Sequence, residues 1–293
     1  MDSAAAVVAQ PDELHDAAAT ALLPEVLLRP QPPCDWRLPY GWHPSQFGEL
    51  RLPAGPGPFP VVVGIHGGWW RAAHGLETHA HLCAALTRLG YATWNIEYRR
   101  VGEAGGGWPG TLQDVGAALD YLAVIAAEFN LDLARVVPVG FSAGGQLALW
   151  AAARAAFAAG HPLHEATPLP VSAAVALAGA VDLARCAELQ LSKGIVAAFL
   201  GGDPAAVPER FAAASPAQLP IAVPHTLVHG SADSSVPVEI SQRYHAAATA
   251  RGAACELVVL PGVEHFDLID PLSPAWPAVA RAIHDRLGPP ATS

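Results

Sequence analysis

The segment Val139-Gly140-Phe141-Ser142-Ala143-Gly144-Gly145 constrains this chain more than any other. An apolar run at residues 135–139 precedes it, and an Ala/Leu-rich stretch at 146–159 follows. Together they read as strand, tight turn and helix, with a serine at the centre of G-x-S-x-G. A turn this sharp forces the serine into strained backbone geometry, and neighbours with side chains would clash there. The turn lifts the hydroxyl above a sheet edge, in front of a helix N-terminus that favours negative charge.

The rest of the chain alternates in the same way. Strands are predicted at 47–52, 61–65, 92–98, 135–139, 173–178, 225–229 and 255–260. Helices are predicted at 76–89, 112–129, 146–159 and 275–287. Alternation of this kind predicts an α/β fold: one mostly parallel central sheet with helices on both faces. With 293 residues, of which 52% are hydrophobic and 14% charged, one large globular domain is expected at 36–293. Residues 1–35 read as an Ala/Pro-rich N-terminal extension with a short helix near 11–23. Residues 183–219 are too long for a simple strand–helix link and read as short helices broken at Gly201-Gly202-Asp203-Pro204 and Pro208. A small cap insertion over Ser142 is expected there.

Two further residues complete a set with Ser142. Asp233 lies in a turn after the strand at 225–229, and His265 lies just after the strand at 255–260. Each therefore sits at a strand C-terminus, the edge where open α/β sheets place their ligands. A fourth element, His66-Gly67-Gly68-Trp69-Trp70, follows the strand at 61–65. Backbone N–H groups on a glycine-rich turn can stabilise an oxyanion if the backbone approaches closely. The N–H of Ala143 and donors from Gly67, Gly68 and Trp69 are the expected oxyanion hole.

With these residues in hand, the chain resembles the α/β-hydrolase superfamily, and within it serine esterases related to hormone-sensitive lipase. Those relatives carry H-G-G-G, and here Trp69 replaces the third glycine. The H-G-G-x-W form resembles kynurenine formamidases and some carboxylesterases, from about Trp36 onward. The resemblance implies an α/β-hydrolase fold, a catalytic triad of Ser142, Asp233 and His265 in the superfamily's chain order, and a cap after the sixth strand. His265 is expected to take the proton of Ser142 while Asp233 fixes the imidazole tautomer. No cofactor is expected. Three functions are carried forward: a carboxylesterase for small acyl or aryl esters, an arylformamidase acting on N-formylkynurenine, and a non-catalytic binding module. Retention of both serine and histidine argues against the last.

Other residues are weighed against structural roles. Trp69, Trp70 and Phe266 are the candidate substrate-binding residues, with one tryptophan expected to line the pocket and the other to pack into the core. A confined apolar pocket predicts acetyl to butyryl chains over long ones. Arg99 and Arg100 are candidates for a substrate carboxylate or for salt bridges to Glu97, Glu103 or Asp114. Asp114, His225 and His229 read as structural. His74, His79 and His81 do not share a helical face at zinc spacing, so no metal site is expected. Cys34, Cys83, Cys186 and Cys255 show no metal or redox spacing. Net charge is −10 with no basic stripe, which argues against nucleic acid and anionic membranes. The expected partner is a small-molecule ester or amide, and a homodimer stays open. The first residues lack a basic n-region, no stretch reads as a transmembrane helix, and a cytoplasmic location is expected.

Overall fold

The computed structural model describes residues 24–290, so the helix expected near 11–23 lies outside the described residues. Within them, eight strands form one sheet: β1 (Trp36–Pro39), β2 (Phe47–Arg51), β3 (Phe59–Ile65), β4 (Ala92–Ile96), β5 (Leu131–Phe141), β6 (Ala174–Leu177), β7 (His225–Gly230) and β8 (Cys255–Leu260). Their order is β1-β2-β4-β3-β5-β6-β7-β8. The pairs β1–β2 and β2–β4 are antiparallel, and all others are parallel.

The central strands are apolar on both faces, as a sheet covered twice requires. Val61, Val63 and Ile65 of β3 point into one hydrophobic cluster, while Val62 between them points into the other. Ala174 and Ala176 of β6 alternate in the same way with Val175 and Leu177. The first face is covered by α3 (Gly110–Asp120), α4 (Leu122–Phe129), α5 (Ala143–Ala153) and α9 (Glu239–Ala250). The second is covered by α2 (Ala80–Arg88) and α10 (Trp276–Leu287). The expected helix at 112–129 is two helices, which meet at Tyr121.

The insertion at 183–219 contains α6 (Leu183–Glu188), α7 (Leu191–Leu200) and α8 (Pro208–Ala214). Residues Ser192, Lys193 and Gly194 have left-handed backbone angles, so α7 is regular only beyond them. The insertion packs beside α5. Phe199 stacks on Trp70 with ring centroids 4.4 Å apart, Trp150 donates to Ala213 O at 3.1 Å, and Gln146 donates to Ala214 O at 2.8 Å. All four cysteines are free thiols; Cys83 and Cys186 are buried, and burial pushes both thiols up to about 12. No helix among the described residues is long and apolar enough to cross a membrane.

One buried group gives the fold a pH dependence. Burial, with the neighbouring His66 adding to it, pushes the His79 imidazole down from 6.5 to about 3. The unfolded chain therefore binds a proton at His79 that the folded chain refuses, between pH 6.5 and 3. Stability should fall as pH drops through that window. Urea midpoints measured from pH 7 to 4.5 are expected to fall less steeply for His79→Phe than for the parent. Equal slopes would show that His79 does not contribute.

Candidate active site

The three residues singled out at strand ends come together at one edge of the sheet. Ser142 sits between β5 and α5 with φ 56° and ψ −118°, a conformation L residues rarely adopt. Its backbone is pinned on both sides: Ser142 N donates to Leu177 O at 2.8 Å, and Ser142 O accepts from Ala180 N at 3.1 Å. The flanking glycines answer to crowding. A Cβ on Gly140 would lie 1.9 Å from Gly144 O, and one on Gly144 would lie 2.0 Å from Ile65 O. Only glycine lets β3, β5 and α5 approach this closely.

Asp233 and His265 form the second part. His265 Nδ1 lies 2.6 Å from Asp233 Oδ2, so Nδ1 carries the hydrogen and donates it to the carboxylate. The other carboxylate oxygen accepts from the backbone N–H of Ser235 at 2.9 Å and of Val236 at 2.8 Å. His229 completes the cradle. Its Nε2 lies 2.8 Å from Val236 O and 3.3 Å from Asp233 Oδ2, and its Nδ1 lies 2.7 Å from Ser241 Oγ. Burial opposes the charge on Asp233, but hydrogen bonds from His229 and His265 outweigh it and hold the carboxyl well below the usual range. His229, which the sequence suggested was merely structural, thus contacts the acid. The signal was its position four residues before Asp233.

The His66–Trp70 turn lies against Ser142. A Cβ on Gly67 would meet Phe141 O at 2.9 Å and Ser142 Cβ at 3.0 Å. Gly68, Trp69 and Trp70 have φ of 101°, 52° and 55°, which curls the backbone into a tight turn. Among the described residues, no hydrogen bond takes up the N–H of Gly68, Trp69 or Ala143. The turn is held from behind by His66. Its Nδ1 lies 2.7 Å from Gly67 O and its Nε2 2.8 Å from Glu97 Oε1, while its ring stacks on Tyr98 at 4.3 Å. Glu97 also accepts from Leu76 N at 3.1 Å and pairs with Arg100 at 3.1 Å.

A cavity of about 360 Å³ joins these parts; Ser142 and His265 line it together with Gly68, Trp69, Phe141 and Phe266. Its walls are mainly apolar, and no arginine or lysine is among them. Of the two tryptophans named as candidates for substrate, Trp69 lines the cavity and Trp70 is the one that packs into the core, so Trp70 is withdrawn as a substrate-binding residue. It is fully buried, stacked on Phe199, and its indole N–H donates to Gln146 Oε1 at 3.0 Å. Trp70→Ala should therefore cost stability, by about 3–5 kcal/mol as for other buried aromatic truncations. A denaturant titration checks this, and an unchanged midpoint would contradict it. The cavity walls named above are drawn from other segments, and the 183–219 insertion meets the His66–Trp70 turn from behind, through Phe199 on Trp70 and through Arg71 Nη2, which donates to Ser192 O at 2.9 Å.

Arg99 and Arg100 are both engaged elsewhere. Arg99 Nε lies 2.8 Å and Nη2 2.6 Å from the Asp114 carboxylate, and Arg100 Nε lies 3.0 Å from Glu103. Asp114 is 1% exposed and also accepts from Gln46 at 2.7 Å. Among the described residues, no group of three or more His, Cys, Asp or Glu side chains is arranged to hold a metal ion. Chemically, a strained serine hydroxyl, an imidazole oriented by a carboxylate and unclaimed N–H donors can together perform nucleophilic acyl transfer.

The sheet order, the two helical layers and the turn at Ser142 define the α/β-hydrolase fold. Within that fold the chain belongs to the BD-FAE family, which matches residues 50–247. Two relatives in Mycobacterium tuberculosis, the esterases LipQ and LipC, are each 29% identical to it, over 236 and 257 residues. These matches take in 78% and 80% of this chain but only 55% and 60% of the relatives, so the chain spans little more than half their length. Among solved structures, a bifunctional GH43-CE protein of Bacteroides eggerthii superposes with a TM-score of 0.74 at 25% identity, covering 86% of this chain and 38% of that one. The propionate-bound esterase Est2 of Thermogutta terrifontis superposes with a TM-score of 0.72 at 22% identity, covering 92% and 98%; at that identity the likeness concerns the fold.

Proposed function

We propose that this protein is a carboxylesterase-type serine hydrolase that cleaves small carboxylic esters through an acyl-enzyme on Ser142. The reading rests most on one observation: His265, bonded to the buried Asp233 carboxylate at 2.6 Å, lines the same cavity as the strained Ser142. With Nδ1 donating to Asp233, His265 Nε2 keeps its lone pair and serves as the base. Ser142 Oγ attacks the ester carbonyl as its proton passes to Nε2, and Asp233 stabilises the imidazolium. The oxyanion forms against the N–H groups of Gly68, Trp69 and Ala143. The tetrahedral intermediate collapses, the C–O bond breaks, and His265 protonates the departing alkoxide. Water then repeats the sequence on the acyl-enzyme and releases the acid. The names of LipQ and LipC support the reaction class.

The formamidase alternative finds no comparable support. An N-formylkynurenine site needs a partner for the amino-acid carboxylate, and the two arginines considered for that role are bound to Asp114 and Glu103. A panel of p-nitrophenyl esters from acetyl to decanoyl, run beside N-formylkynurenine, tests the choice. The expected result is highest kcat/KM on acetyl to butyryl esters. Dominant turnover of N-formylkynurenine would reverse the assignment.

A further inference from the structure

A short strap ahead of the sheet forms part of the cavity wall. The single turn of α1 (Glu25–Leu28) places Pro24 and Leu27 on the cavity beside Trp69 and Phe266. Val26, 2% exposed, anchors that turn in the hydrophobic cluster that contains Leu268 and Ile269. Arg29 pairs with Asp270, just past the 3-10 turn Phe266–Ile269 that starts next to His265. Further along, Arg51 donates to Pro33 O at 2.9 Å and to Pro32 O at 3.0 Å, and Leu52 N donates to Asp35 Oδ2 at 2.8 Å. The strap is thus held by an apolar anchor, an ion pair and backbone bonds. A wall tethered in this way discriminates by size, because a group that overfills the cavity must displace it against those contacts.

We propose that residues 24–29 are the specificity-determining wall of the acyl pocket and that Leu27 sets the acyl length the site accepts. The inference rests on the hydrolase reading above for its substrate class.

The test compares the parent with Leu27→Ala and Leu27→Trp, both verified as folded by circular dichroism and melting temperature. Two readouts are taken: kcat/KM for acetyl, butyryl, hexanoyl and octanoyl p-nitrophenyl esters, and calorimetric Kd for butyrate and octanoate. Leu27→Ala is expected to raise the octanoyl-to-acetyl ratio of kcat/KM about tenfold and tighten octanoate about fivefold. Leu27→Trp is expected to move both the ratio and the octanoate Kd the other way. Folded variants that keep the parental chain-length profile and octanoate Kd would overturn the proposal. If octanoate Kd shifts as stated while no ester is turned over, the wall stands and the hydrolase reading falls.

Discussion

Ser142→Ala is expected to lower kcat on p-nitrophenyl acetate by about 10⁴-fold or more, with the fold unchanged. The cost is large because the hydroxyl forms the covalent bond on which both half-reactions depend. Alanine leaves the backbone at φ 56° no easier to hold than serine does, so stability should scarcely move. Residual activity near background, with a parental melting temperature, is the expected pair of results. Turnover within tenfold of the parent would remove Ser142 from the mechanism.

Asp233→Asn is expected to cost about 10⁴-fold in kcat, for a different reason. Asp233 is an acceptor in these contacts, taking hydrogen from His265 Nδ1 and from the N–H groups of Ser235 and Val236, with His229 Nε2 3.3 Å from Oδ2. The asparagine carbonyl can keep the two backbone donors, which turns its NH2 toward His265. His265 must then accept at Nδ1 and carry its hydrogen on Nε2, where it cannot take the proton of Ser142. Asp267 provides the control. It lies two residues beyond His265 and accepts from Glu264 N at 2.9 Å. Asp267→Asn should retain activity within about tenfold; comparing kcat for the two asparagine variants on one ester identifies which acid orients the imidazole. Loss confined to Asp267→Asn would mean that Asp233 is not that acid.

The parts legible from sequence were those fixed by local chemistry. Glycines around Ser142 and turns directly after β7 and β8 announce themselves because backbone crowding and strand ends leave few residue choices. The apolar runs Phe59–Ile65 and Val136–Val139 were legible because a stretch covered on both faces favours apolar side chains. Strand β1 was missed. Trp-Arg-Leu-Pro is four residues long, ends in proline, and becomes a strand only by pairing with β2 at the sheet edge. The single turn of α1 is too short to leave a period. The places of Trp70 and of the insertion depended on packing between distant segments, since Trp70 meets Phe199 and Gln146 only once the fold is complete. Two adjacent tryptophans with nearly equal φ face different environments, and nothing in their order says which faces the cavity.

The central claim, that Ser142 is the nucleophile, is tested most directly by covalent capture. The protein is incubated with an alkyl fluorophosphonate, its intact mass is measured, and the modified peptide is mapped. One adduct per chain on Ser142 is the predicted result, with none on Ser142→Ala and with slow labelling of His265→Ala. A stoichiometric adduct on another serine, or none on the active parent protein, would contradict it.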